Sequence, residues 1–479
     1  MTSAAPTPEP VGPSSTREGS QVVILGGGPG GYEAALVGRQ LGADVTIVED
    51  QGLGGSAVLT DVVPSKTLIA TAEFMTTTEL APGLGIRPNG NADLDIQVDF
   101  GVVDARVLEL AAAQSRDIRS RLEREGVRIV DGTGRLDGPN RVVAATKHGD
   151  QRLPADVVLL ASGARPRVLP AAAPDGDRIL TWTQVYSLTE LPEHLIVVGS
   201  GVTGAEFASA YNALGARVTL VSSRDRVLPN EDADAAALIE AVFTRRGMEV
   251  LSRSRAEAVR RVGDGVEVEL ADGRVVTGSH CLLAVGSVPN TERLGLDSAG
   301  VKLSQSGHIV VDRVSRTTAR GVYAAGDCTG VLALASVAAM QGRIAMWHAL
   351  GDAVSPLDLR QVSANIFTAP EIATVGITED DITSRRVRGA VTKLPLARNA
   401  RAKMLGISEG FIKLFSHRAS GLVLGGVVVA PRASELIHPI TLAIANRLTV
   451  DQVANAFTVY PSLSGSIAEA ARVLHDQRD

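Results

Sequence analysis

Gln21-Val22-Val23-Ile24-Leu25-Gly26-Gly27-Gly28-Pro29-Gly30-Gly31 is the stretch whose reading decides the fold. Its first five residues, dominated by β-branched side chains, predict a short, fully buried strand. The glycine cluster predicts a tight turn, and the small residues beyond it open a helix. A second strand follows at Asp44 to Val48, which completes a β-α-β unit. In such a turn Gly26 permits the sharp bend, Gly28 lets backbone approach a pyrophosphate, and Gly31 lets the helix pack closely on the strand. The pyrophosphate then sits on the positive end of the helix. Glu49, about twenty residues on, is placed to accept from ribose hydroxyls. A lone G-x-G-x-x-G says little; strand, helix and acid in register make it a dinucleotide site.

The pattern recurs. Leu195 to Val198 reads as a strand, Gly199-Ser200-Gly201-Val202-Thr203-Gly204 as the turn, then a helix through Leu214 and a strand at Arg217 to Val221. Two copies of one motif imply two nucleotide sites. The second copy ends differently, in Val221-Ser222-Ser223-Arg224, with no carboxylate at the position equivalent to Glu49. Two hydroxyls and a guanidinium can receive a 2′-phosphate, which favours NADPH, with NADH also used. The alternative is a polar strand-end turn that holds nothing.

Working outward, helical periodicity covers Val107 to Arg124, then come strand-like VRIV and a hairpin-like GTGRLDGPNRVVAA that starts at Gly132. Strand-rich segments are expected from the second unit up to Pro289. Strand-like VYAAG at Val322 leads into a long helical run to Leu350. From about Val362, strands (ATVGI, GFIKLF, GLVLGGVVVA) alternate with helices (Ala433 to Asn446, Asp451 to Ala456), as in a separate α+β domain.

Bulk properties exclude several classes of function. The net charge of -6 removes the electrostatic basis for nucleic-acid binding, and 3% aromatics leave little for base stacking. The opening MTSAAPTPEPVGPSSTREGS has no apolar run, so it reads as a disordered tail rather than a signal peptide or membrane span. Only Cys281 and Cys328 are present, which excludes a disulfide framework and makes a reducing cytoplasm the natural compartment. Cys281, in apolar CLLAV, reads as inert core, and Cys328 as packing rather than nucleophile. His417 and His438 lack ligand-spaced partners, so no metal site is expected.

Gly54-Gly55-Ser56-Ala57-Val58-Leu59-Thr60-Asp61-Val62-Val63-Pro64-Ser65-Lys66 resembles the active-site helix of the pyridine nucleotide-disulfide oxidoreductases, the lipoamide dehydrogenase and glutathione reductase group. That family shows GGTCxxxxCxPSK here. The Gly-Gly start and Pro-Ser-Lys end remain, but Ala57 and Val62 stand where the two cysteines belong. Further matches follow in order. Ala161-Ser162-Gly163-Ala164-Arg165-Pro166 resembles the family's ATG motif, and Gly286-Ser287-Val288-Pro289-Asn290 its GRxPN turn. Tyr323-Ala324-Ala325-Gly326-Asp327 resembles the second flavin motif, and Ala369-Pro370-Glu371 with Val375-Gly376 the start of the dimerisation domain. The family ends in HxHPTxSE, which supplies a His-Glu dyad to the partner subunit's disulfide. This chain reads Thr458-Val459-Tyr460-Pro461-Ser462-Leu463-Ser464-Gly465 there, so Tyr460 replaces the His and Gly465 the Glu. A phenol, titrating near ~10, cannot do the near-neutral work of an imidazole. The disulfide and the base that serves it are missing together.

The resemblance implies an α/β fold: two Rossmann-like FAD- and NAD(P)-binding domains, of the three-layer ββα/βα type, plus a C-terminal α+β dimerisation domain. FAD would be held by the parts at 20–165 and 291–360, NAD(P)H by 166–290, and a homodimer would form through 361–479. It also implies cofactor contacts at Gly55, Gly132, Ser162, Gly163, Gly286, Asp327, Leu334 and Ala335. The run Ala333 to Ser336 would aim backbone N–H groups at the flavin O2 side. Lys66 and Glu206 resemble the family's ion pair beside flavin N5, where the ammonium stabilises anionic reduced flavin. The plainer alternatives are a solvated helix lysine and a helix N-terminal acid. With no disulfide to receive them, electrons must leave the flavin directly. A pocket walled by Ala57, Val62 and the partner's Tyr460 suits a flat, weakly polar acceptor such as a quinone. The segments RVSRTTARGVYAAGDC, ASVAAMQGRIAM and PSLSG are similar to a cysteine-less actinobacterial branch of the family that reduces quinones with NAD(P)H. A soluble pyridine nucleotide transhydrogenase and a catalytically silent flavin-binding sensor are the two alternatives.

Overall fold

The computed structural model describes residues 19–87 and 96–476. The segment read as a tail therefore lies outside the described residues up to residue 18. The chain divides into two compact units. One takes in the chain up to Leu59 with Ala112–Arg165 and Val288–Leu357; the other takes in Thr60–Ala111, Pro166–Ser287 and everything from Asp358.

The first unit is built on a parallel five-stranded sheet, ordered Val322–Ala324, Val157–Leu160, Gln21–Leu25, Asp44–Glu49, Arg128–Asp131. Its central strands are buried almost throughout, as expected where both faces of a parallel sheet are covered. The helix Pro29–Gln40 starts with proline at its first position, where a missing N–H costs nothing. It then crosses the helix Ala335–Leu350 at very short range: a Cβ on Gly342 would stand 2.0 Å from the Gly30 carbonyl oxygen. An antiparallel sheet of Thr133–Leu136, Arg141–Thr146 and Gly149–Pro154 completes the unit, in agreement with the hairpin read from the sequence.

The second unit repeats the theme. Its parallel sheet runs Glu249–Leu251, Arg217–Val221, His194–Val198, His280–Leu283, Ile179–Thr181. The helix Val202–Ala213 follows the second glycine turn and packs against the helix Val62–Thr78. Phe100, Tyr186, Phe207 and Tyr211 gather along it, with ring centroids 5.9 to 6.4 Å apart, so a large share of a scarce aromatic complement fixes this one helix. Beyond it lies an antiparallel sheet, Ser363–Ile366, Glu371–Gly376, Val423–Ala430, Phe411–His417, Gly389–Pro395, covered by Gly465–Asp476 through Ile467, Ala470, Ala471 and Leu474.

Two expectations are corrected. The region after the second β-α-β unit is not strand-rich throughout: Ala233–Arg245 is a helix. Asp232 caps it by accepting from the N–H groups of Asp234 and Ala235, and Ala235, Ala236, Ile239, Val242 and Phe243 form its buried stripe. The helix expected over Ala433 to Asn446 is two, Ala433–Leu436 and His438–Ala445, because Pro439 cannot supply an N–H to continue the first.

Candidate active site

In the first unit Gly26 adopts φ +105, and a Cβ on Gly31 would stand 1.9 Å from the Gly26 carbonyl oxygen. Strand and helix could not approach this closely with any other residue there. The second unit repeats both numbers almost unchanged: Gly199 has φ +113, and a Cβ on Gly204 would meet the Gly199 oxygen at 1.8 Å. Gly28 and Gly201, the N-caps of the two helices, face open space, so each helix N-terminus presents its N–H groups outward.

Glu49 ends its strand nearly buried, with its carboxylate fixed by backbone. Oε2 accepts from the Gly27 N–H at 2.6 Å, and Oε1 accepts from those of Asp50 and Gln51 at 2.9 and 2.7 Å. Oε2 keeps acceptor capacity for a ribose hydroxyl. Gly132 follows the neighbouring strand Arg128–Asp131, its N–H donating to the Glu49 carbonyl at 2.9 Å. Ser162 and Gly163 are tied to Asn290: the Ser162 hydroxyl donates to the Asn290 carbonyl at 2.7 Å, and the Asn290 amide donates back to the Ser162 carbonyl at 3.0 Å. Gly55 lies at the start of the short helix Gly55–Leu59, where a Cβ would come 2.8 Å from the Gly28 Cα.

Asp327 is half-buried, and among the described residues no donor reaches its carboxylate; burial pushes its pKa up, partly offset by His308. The loop that carries it is held by Gln341, a buried side chain that accepts the Gly326 N–H at 2.9 Å. Sequence reading missed Gln341. Leu334 caps the helix Ala335–Leu350 in an extended conformation, which leaves the first N–H groups of that helix without a side-chain cap.

At the second strand end the residues divide. Ser222 is fully buried; its hydroxyl pairs with that of Ser200 at 2.7 Å and accepts the Arg224 N–H at 3.1 Å. It therefore braces the turn and does not present itself outward, which corrects the reading of all three residues as phosphate ligands. Ser223 and Arg224 are exposed. Gly286 has its carbonyl engaged by the Arg167 N–H at 2.9 Å.

Lys66, in the helix Val62–Thr78, and Glu206, in the helix Val202–Ala213, meet at 2.7 Å. Glu206 is 4% exposed, and its second oxygen accepts the Phe367 N–H at 2.9 Å. Lys66 also stands 4.9 Å above the Phe367 ring centroid. It is thus not a solvated surface lysine. The sequence gives no sign of Phe367, which lies far along the chain.

Ala57 sits inside the short helix Gly55–Leu59 and Val62 opens the next one, both half-buried. Neither cysteine of the chain can take their place. Cys281 and Cys328 are wholly buried, and burial raises both thiols, Cys328 to about 11. Such thiols stay protonated and inert. Tyr460 is 85% exposed, beside equally exposed Phe457 and Val459.

Comparison with known proteins agrees with this geometry. The model of the pyridine nucleotide-disulphide oxidoreductases matches residues 20–342, and that of the family's dimerisation domain matches 362–471. The chain belongs to this family. A protein of Mycobacterium tuberculosis named NAD(P)H dehydrogenase (quinone) is 53% identical over 472 residues, 96% of this chain and 95% of its own. The crystal structure of LpdA from Mycobacterium tuberculosis superposes with a TM-score of 0.91 over 95% of this chain and 99% of that one, at 53% identity. The dihydrolipoyl dehydrogenase of Zymomonas mobilis is 32% identical over 465 residues, covering 95% of this chain and 98% of its own. Membership implies FAD and NAD(P)H as cofactors. These residues fit FAD: an open helix N-terminus at Gly28, a fixed Glu49 with acceptor capacity left, and an Asp327 carboxylate that no donor reaches among the described residues. No helix among the described residues is long and apolar enough to cross a membrane.

Proposed function

We propose that this oxidoreductase takes electrons from NADPH and passes them through FAD directly to a quinone, with no disulfide relay. One observation carries the reading: Ala57 and Val62 occupy the places of the redox cysteines, while Lys66, at the end of the same motif, keeps its ion pair with Glu206. The name borne by the 53% identical relative supports it. When bound, FAD accepts hydride from a nicotinamide and releases electrons to an acceptor.

This chain's own residues do the rest. Gly26, Gly28 and Gly31 with Glu49 hold the adenosine and pyrophosphate of FAD, and Asp327 accepts from its ribityl hydroxyls. Gly55, Gly132, Ser162, Gly163, Leu334 and Ala335 complete that contact. Gly199, Gly201 and Gly204 receive the second dinucleotide, near Gly286. Ser223 and Arg224 take the 2′-phosphate, with Ser222 and Ser200 bracing the turn from behind. Arg224 is the member of this set that supplies charge, so NADPH is favoured and NADH is also used. Lys66, with Glu206 holding its ammonium, offsets negative charge that develops on reduction. Ala57 and Val62 put small apolar side chains where the redox cysteines would stand, which suits a flat acceptor, and in a homodimer Tyr460 of the partner subunit supplies the one phenol. The chain works in the reducing cytoplasm.

Anaerobic stopped-flow tests the proposal: enzyme reduced by NADPH is mixed with a naphthoquinone, an oxidised NAD analogue, or oxygen. The expected result is reoxidation fastest by the quinone. If the quinone is no faster than oxygen, the reading fails; if the NAD analogue is fastest, the enzyme is a transhydrogenase.

A further inference from the structure

Phe367 touches both members of the Lys66–Glu206 pair. Its peptide N–H donates to Glu206 Oε1 at 2.9 Å, while Glu206 Oε2 accepts from Lys66 Nζ at 2.7 Å. Its ring lies under the same ammonium, 4.9 Å from Nζ to centroid. A lysine has a flexible four-carbon stem, and a single carboxylate oxygen fixes the distance of the ammonium without fixing its direction. An aromatic face supplies the second restraint, because the ring quadrupole attracts the cation normal to its plane. The N–H does the same for the carboxylate by preventing it from rotating about its own axis.

The turn that carries the ring is itself fastened to the Val202–Ala213 helix and its neighbourhood. The Ala369 N–H donates to the buried Ser209 hydroxyl at 3.3 Å, Arg246 donates to the Ala369 carbonyl at 2.8 Å, and the Thr368 hydroxyl donates to the Pro370 carbonyl at 2.7 Å. Nor is the ring a simple core filler. It is half-buried and borders a cleft of about 180 Å³ walled by Ile69, Ala72, Ala210 and Pro370, so one flank is free of packing.

We propose that Phe367 is a positioning residue for Lys66: ring and peptide together set where the ammonium stands, so the turn after Ser363–Ile366 tunes the charge offered to the flavin. The inference rests on the reading that Lys66 serves the flavin. Its test is the equilibrium constant for two-electron reduction of the bound FAD, measured anaerobically against a reference dye of known potential in holoenzyme with full FAD content. That readout needs neither NADPH nor a quinone, and a merely structural role would leave it unmoved.

Lys66→Met is expected to shift the equilibrium towards oxidised FAD. Phe367→Leu, which keeps apolar volume but loses the π face, is expected to shift it the same way by roughly two- to thirty-fold, the range a cation–π contact supplies. Phe367→Tyr should restore the wild-type value. Adding Phe367→Leu to Lys66→Met should change nothing further, since the two act through one contact. If Lys66→Met shifts the equilibrium and Phe367→Leu does not, or Phe367→Leu shifts it equally without Lys66, the positioning role is wrong. An unchanged equilibrium in Lys66→Met overturns the reading of Lys66 itself.

Discussion

Ser222 is buried and Arg224 exposed, and under the proposed NADPH binding substitution separates them. Arg224→Gln removes an exposed cation, so KM for NADPH should rise about ten-fold, as expected for one charge-assisted hydrogen bond, with KM for NADH little changed. Ser222→Ala should leave the NADPH-to-NADH ratio alone. It strands the buried Ser200 hydroxyl and should cost about 1–3 kcal/mol in urea unfolding instead. Asp327 poses the converse case, a residue suited to a ligand at the expense of stability. Burial raises its pKa, so the folded chain binds that proton more tightly than the unfolded one. The resulting penalty is absent below the ordinary carboxylate value near ~4 and grows as pH rises through the raised folded value. In FAD-free protein, Asp327→Asn should therefore raise Tm at neutral pH, with the gain vanishing in acid, while FAD binding weakens. A Tm difference that is constant across pH would contradict this account.

At the scale of elements, the N-terminus of helix Ala233–Arg245 is joined to strand Phe411–His417 by Lys413, only 1% exposed. Its ammonium reaches Asp232 at 2.7 Å, Asp234 at 2.8 Å and Glu379 at 2.6 Å. Burial works against the charges of both Lys413 and Asp234, but hydrogen bonds from Lys413 to Asp232, Asp234 and Glu379 together outweigh it and raise the lysine, while those from Lys413 and Lys393 hold Asp234 below its usual range. Lys413→Met leaves Asp232 and Glu379 without the buried ammonium, while Asp234 keeps Lys393 at 2.9 Å, and should destabilise by about 3 kcal/mol. This is the low end for a broken buried pair, because Asp234 and Glu379 are partly exposed. The sign with pH follows from the depressed Asp234: the stabilisation is present above the ordinary carboxylate value and is lost as pH falls through the folded one. Denaturation curves of wild type and variant should therefore converge in acid. None of this was legible in GFIKLF, which reads as an apolar strand with one polar position; only the tertiary partners show that the lysine points inward. Helix Ala233–Arg245 was legible in principle, since Asp232 and the spacing of Ala235, Ile239, Val242 and Phe243 are helical signals, but the strand-rich surroundings hid it.

For the whole molecule, both glycine turns were readable because backbone geometry admits no other residue at Gly31 or Gly204, and chemistry that needs a fixed residue type leaves a mark in sequence. The contact of Phe367 with Lys66 and Glu206 left none, because a ring under an ammonium is specified by folding and by no local spacing. Association of two chains makes a prediction of its own. Phe457, Val459 and Tyr460 stand exposed in one segment outside helix and strand, so a homodimer that buries them should weaken on Phe457→Ser by roughly ten- to a hundred-fold in Kd, the worth of one buried large side chain, as read by sedimentation. An unchanged Kd would place the interface elsewhere. The central claim, that the flavin is the sole redox centre and feeds a quinone directly, is tested most directly by counting electrons. In an anaerobic titration, one equivalent of NADPH per FAD should bleach the flavin completely, with no long-wavelength thiolate charge-transfer band, and one equivalent of naphthoquinone should restore it. A second equivalent of NADPH needed for full reduction, or a flavin that the quinone leaves bleached, would contradict the account.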